Sequence, residues 1–121
     1  MFNGIASVIF PTSNLEVDKG FWQAALGVTP YFDEPLYVGF NVDGCELGLD
    51  PNAADEGLPY PVTYWATTDI HPSHAALLAA GATAHKAIKS VGDGVLVATM
   101  KDISGNLFGL LQRRQESSPS P

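Results

Sequence analysis

The sequence predicts an α+β fold built from two paired βαβββ modules that form a curved mixed sheet around a cavity. Three observations point there. The hydrophobic period changes from helical to strand type at a matching place in each half. Both candidate helices stop at a glycine, in Ala25-Leu26-Gly27 and Ala79-Ala80-Gly81. Both halves also carry an Asp-Gly hairpin signal, at Asp43-Gly44 and Asp93-Gly94. An internal duplication of about 60 residues explains all three at once.

The elements follow in order. Residues 5–10 are apolar and strand-like, and Pro11 stops them. Ser13-Asn14-Leu15-Glu16 has capping-box spacing, with Ser13 as the expected cap. Phe21, Trp22, Ala25 and Leu26 recur at helical spacing, and Gly27 suits a left-handed cap. Runs at 28–32, 37–42 and 45–49 read as strands. Residues 51–60 read as a connector. A strand is expected at 62–67, then a helix with Pro72 in its first turn and Gly81 at its end. Strands at 83–90, 95–101 and 107–112 complete the second half. This gives a single domain over 1–112, with module one at 4–50, the connector at 51–60 and module two at 61–112. Residues 113–121 end in Ser-Ser-Pro-Ser-Pro and read as a disordered tail.

Composition narrows the function. The chain has 121 residues, with six Lys and Arg against 13 Asp and Glu, for a net charge of −7. Such a chain lacks the clustered cations that neutralise nucleic-acid phosphates or hold an anionic membrane surface. No apolar run nears the roughly 20 residues of a membrane span. The N-terminal residues lack a secretory pattern, so a cytoplasmic location is expected. Cys45 is the single cysteine, so neither an internal disulfide nor a cysteine-based zinc site is available.

With this order of elements, the chain resembles the vicinal oxygen chelate superfamily, which includes glyoxalase I, ring-cleaving dioxygenases, and fosfomycin- and bleomycin-resistance proteins. The resemblance spans about residues 4–112. It rests on Ser13-Asn14-Leu15-Glu16 before Phe21-Trp22 and Leu26-Gly27, on Trp65-Ala66-Thr67-Thr68-Asp69-Ile70, on Gly81-Ala82, and on the stretch from Asp102 to Leu110. That last stretch is similar to the family's Asp-Pro-x-Gly-Asn turn, with Ile103 replacing Pro. The resemblance implies a glyoxalase/bleomycin-resistance-like fold and a homodimer.

It also implies a divalent-metal site whose ligand positions fall at Ser7, Glu46, Thr63 and Gly109. Only Glu46 is a good donor among these. Transition-metal sites need three or four His, Cys or carboxylate ligands. No metal and no other cofactor is therefore expected.

Glu46 is the residue of most interest. Its ordinary reading is a solvent-facing strand carboxylate or one paired with Lys or Arg. Its functional reading is a cavity-facing carboxylate aimed at a cationic or hydrogen-bonding ligand. Residues 46, 48 and 50 share a strand face, so Asp50 can join Glu46 while Gly48 leaves room. A slip of one residue would turn Glu46 outward. Trp65 shares a face with Thr63 and reads either as a core or interface residue or as a stacking wall, with Tyr37, Phe40 or Tyr60 beside it. The candidate ligand-binding set is Ser7, Tyr37, Phe40, Glu46, Thr63, Trp65 and Gly109. His71 and His74 read as a surface pair near a helix start, and His85 as an ordinary residue.

The leading expectation is a metal-independent protein that sequesters a small organic ligand, cationic or planar, as antibiotic-resistance members of the family do. The alternative is a glyoxalase- or dioxygenase-like lyase or isomerase, either metal-dependent or using Glu46 as general base.

Overall fold

The computed structural model describes residues 1–114. The expected tail lies outside the described residues from position 115 onward. Among the described residues there are eight strands and two helices, and the order βαβββ occurs twice. The chain divides into two compact units, one of Ile5–Tyr64 and one of Met1–Gly4 with Trp65 onward.

The Ile5–Tyr64 unit takes in β1 (Phe2–Pro11) from Ile5, then α1 (Leu15–Leu26), β2 (Phe32–Glu34), β3 (Tyr37–Val42) and β4 (Cys45–Asp50). The strand order is β2-β3-β4-β1. β1 runs parallel to β4, and β3 is antiparallel to both β2 and β4. The β3–β4 hairpin turns at Asp43 and Gly44, with φ of 53° and 89°. Positive φ at both central residues matches the right-handed strand twist, which explains Asp-Gly here. Strand alternation sends Val38, Phe40 and Leu49 to one face, where they are buried against Phe10, Leu15, Trp22, Leu26 and Leu47. That face is the core.

The helix differs from expectation in two respects. Its N-cap is Asn14, not Ser13: the Asn14 side chain accepts from the Val17 amide, at 3.2 Å. The Thr12 hydroxyl fixes this arrangement, accepting from the Asn14 amide and donating to Asp18. The inward stripe is Leu15, Trp22 and Leu26, whereas Phe21 and Ala25 are exposed. Two apolar stripes share this helix, and packing on β3 and β4 selects one. Residues 28–31, expected as strand, are irregular, and β2 starts only at Phe32. Gly27 caps the helix with φ of 70°, as its position predicts.

The second unit takes in β5 (Val62–Thr67) from Trp65, then α2 (Ile70–Ala79), β6 (Thr83–Ser90), β7 (Leu96–Lys101) and β8 (Leu107–Gln112). The order is β5-β8-β7-β6. Ile70, Ala98, Met100 and Leu110 form its core, with Leu77, Ala82, Ile88, Leu96 and Phe108 packed around them. Asp69 caps α2 without a side-chain bond; the Ile70 amide instead donates to Gln112 Oε1 at 2.8 Å. The N-terminal residues join this unit. Thr67 Oγ1 donates to the Met1 carbonyl, Asn3 Nδ2 donates to Thr68 Oγ1 at 2.7 Å, and the Phe2 and Trp65 rings lie 5.5 Å apart.

The stretch that resembles the family's turn is a side-chain-stabilised loop. Asp102 Oδ1 accepts from the Ser104 and Asn106 amides, both at 2.9 Å, and Asp102 Oδ2 accepts from Asn106 Nδ2. Gly105 completes it at φ 84°. These bonds to the ionised form hold the Asp102 carboxyl below its usual range.

Candidate functional site

In the Ile5–Tyr64 unit, the sheet face opposite the helix carries the chemistry. β3 alternation leaves Tyr37, Gly39 and Asn41 on that side, and β4 contributes Glu46, Gly48 and Asp50. Register aligns them: Asn41 opposes Glu46 and Gly39 opposes Gly48 across the hairpin. On the other flank of β4, Ser7 stands beside Glu46 in the parallel pairing with β1. Ser7 and Glu46 thus project from neighbouring strands on the same face.

Glu46 is clasped by two phenols. The Tyr31 hydroxyl donates to Oε1 and the Tyr37 hydroxyl donates to Oε2. Two glycines make room for this clasp. A Cβ on Gly48 would collide with the Tyr37 hydroxyl, and one on Gly39 would sit 3.0 Å from Glu46 Oε1 and 3.2 Å from Tyr31 Cε1. The Phe32 ring meets the Tyr37 ring edge-on at 6.0 Å. Aromatic rings therefore flank an anionic carboxylate. Burial pushes the Tyr37 phenol up, and the Asp50 charge adds to the effect. Burial likewise raises Tyr64 to about 12, helped by Asp50 and Glu56. These phenols stay protonated, and the Tyr37 hydroxyl stays a donor, over the physiological range.

Ser7 is the second notable group. It is 2 % exposed, and its Oγ has no hydrogen-bond partner among the described residues. A buried hydroxyl left unpaired costs free energy, so native proteins rarely leave one without a use.

The other expected residues are placed as follows. Phe40 is fully enclosed in the helix-side core and presents no open ring face. Thr63 is half-buried in β5. Trp65 belongs to the second unit, half-buried, with its ring on Phe2. Gly109 is buried in β8 opposite Thr99. His71 is exposed, while His74 Nε2 is buried without a partner among the described residues. His85 Nδ1 shares a 2.8 Å hydrogen bond with Thr99 Oγ1. No three His, Cys, Asp or Glu side chains gather at metal-binding distances among the described residues.

Tyr31 is the residue that sequence reasoning missed. It lies outside any strand, and its amide donates to the Gly39 carbonyl at 3.0 Å, which brings its ring beside β3. The available signal was the pair Gly39 and Gly48, whose missing side chains must be filled by something large.

This architecture is that of known proteins. A glyoxalase/bleomycin resistance protein/dioxygenase superfamily member from Vibrio splendidus superposes with a TM-score of 0.65 at 18% identity, covering 89% of this chain and 96% of that one. A Streptomyces coelicolor methylmalonyl-CoA epimerase, solved with 2-nitronate-propionyl-CoA, gives 0.75 at 16% identity, covering 95% and 100%. A protein from Legionella pneumophila described as an NAD-dependent benzaldehyde dehydrogenase gives 0.73 at 14%, covering 89% and 98%. The chain has the vicinal oxygen chelate fold. No family model matches the sequence, and no curated protein does.

No described helix is long and apolar enough to cross a membrane.

Proposed function

We propose that this protein binds a small organic cation, preferably a planar one, on the Glu46 face, and that it does so by affinity alone. The observation that carries the reading is the Glu46 carboxylate held by Tyr31 and Tyr37 among aromatic rings. A fixed anion with ring faces around it suits an organic cation through charge and cation–π attraction. The buried Ser7 hydroxyl beside it offers a further polar contact to an incoming ligand. A small-molecule ligand is also in keeping with the epimerase of the same fold, which was solved with a CoA ester.

The donor set is a poor fit to a divalent metal. Both Glu46 oxygens already accept phenol hydrogens, Ser7 and Thr63 offer neutral hydroxyls, and Gly109 offers no side chain. The proposal therefore routes nothing through a metal. A general-base role for Glu46, as in an isomerase, is less favoured, because hydrogen bonds from two phenols stabilise the ionised carboxylate over its protonated form and make it a weaker base. A cytoplasmic homodimer belongs to the same reading, and sedimentation analysis tests the dimer.

The test is a thermal-shift and intrinsic-fluorescence screen with cationic planar dyes, thioflavin T among them. Binding is expected in the parent protein and weakened at least tenfold in Glu46→Gln, the loss of a charge-assisted contact of about 1.5–3 kcal/mol. Equal binding in both would sink the proposal.

A further inference from the structure

The second unit contains a hollow of about 200 Å³ lined by Asn3, Ala66, Thr67, Thr68, Arg113 and Arg114. It shares no residue with the Glu46 face. The chain carries a net charge of −7 and only six Lys and Arg, yet two of those cations line this one hollow. No acidic side chain lines it among the described residues. Neither arginine has a carboxylate partner among the described residues. Two consecutive arginines with no counter-charge among the described residues repel each other, and an anion beside them lowers that cost.

The Arg114 stem and the Asn3 amide are held by their neighbours. The Arg114 stem lies on the Asp93-Gly94 turn so closely that a Cβ on Gly94 would come within 2.9 Å of Arg114 Cβ and Cγ. Gly94, at φ 74°, is thus required both by the turn and by this contact. Asn3 Nδ2 uses one hydrogen on Thr68 Oγ1, leaving the amide its second. The Thr67 hydroxyl is committed to the Met1 carbonyl and Ser73, so it shapes the wall without serving as a donor.

We propose that this hollow seats a phosphoryl dianion, either free phosphate or the phosphate of a small monoester. Two arginines and an amide supply the charge and hydrogen-bond donors that a tetrahedral oxyanion needs. The hollow admits one such group with a few waters, at about 30 Å³ per water. Because the chain as a whole repels anions, retention depends on these local donors.

Scanning fluorimetry of the full chain in sodium phosphate, against sodium chloride at matched ionic strength, tests this. We expect Tm to rise by about 5 °C once phosphate stands tenfold above its Kd. A larger rise with glycerol 3-phosphate assigns the seat to monoesters; a larger rise with phosphate assigns it to the free ion. The double variant Arg113→Gln/Arg114→Gln should lose the rise. Asn3→Asp, which places a carboxylate in the hollow, should weaken phosphate at least tenfold and serves should the double variant fail to fold. Glu46→Gln should keep the full rise, which separates this seat from the Glu46 reading. A phosphate effect no larger than that of chloride, or one that survives in both hollow variants, overturns the proposal.

Discussion

The two βαβββ units solve the same packing problem and differ in what they leave on the opposite face. Each buries a short list of apolar residues between its sheet and its helix: Val38, Phe40 and Leu49 in one, Ile70, Ala98, Met100 and Leu110 in the other. On the face away from its helix, the first carries Glu46, Tyr37 and two glycines. The second carries Thr99 and Gly109, with a hydrogen bond between Thr99 and His85. Duplication preserved the core pattern because packing demands it. The outer face is under no such demand, so the Glu46 carboxylate and the phenols gather on the first, while the second places Lys86 opposite Thr99.

The largest effects should fall on the two cores and should be alike. Phe40→Ala and Met100→Ala each remove a fully buried side chain. Losses of about 3–5 and 2–5 kcal/mol are expected, read by urea denaturation. If Phe40→Ala instead proved mild yet abolished dye binding, Phe40 would belong to the ligand site and not to the core.

Next comes Gly48→Ala, which forces Tyr37 off Glu46. A stability loss of about 1–3 kcal/mol is expected, together with loss of dye binding. Gly105→Ala, in the second unit, strains a φ of 84° by about 1–2 kcal/mol and should leave dye binding untouched. That pair of variants separates the two faces most cleanly.

Alkaline titration gives a comparable effect. Tyr64 ionises near 10 when unfolded and at about 12 when folded, and Tyr37 is raised in the same direction. A raised pKa means the neutral phenol is favoured by the fold. Its stabilising effect is complete below pH 10 and is lost as pH rises from 10 to about 12. The decline should be on the order of 2 kcal/mol per phenol. Absorbance at about 295 nm should show Tyr37 and Tyr64 ionising above the ordinary phenol value of 10.

The smallest effect lies at acid pH. The Asp102 carboxyl is held low by the Asn106 and Ser104 amides, so its contribution is present above the unfolded value of 3.8 and lost as pH falls through the lower folded value. Asp102→Asn should flatten a small part of the acid limb in a pH-dependent melting series.

Much of this was legible because it is local. The Asp-Gly hairpins, the Gly27 cap and the strand at 37–42 each follow from backbone preferences of a few residues. The placement of Glu46 beside Gly48 and Asp50 followed from strand alternation. What was hidden depends on distant partners. Asn14 replaces Ser13 as cap because Thr12 and Asp18 fix it. Phe21 faces outward because β3 and β4 accept the other stripe. Met1–Gly4 join a unit more than sixty residues along the chain, through Thr67 and Thr68. Tyr31 reaches Glu46 from an irregular segment, so no periodicity announces it.

Binding on the Glu46 face without a metal is the central claim. Its most direct measurement is calorimetric titration with a dye found in the screen, before and after exhaustive chelation, alongside elemental analysis. The account predicts the same affinity in both titrations and no stoichiometric metal. Stoichiometric zinc, nickel, manganese or iron, with binding lost on chelation and restored on its return, would contradict it.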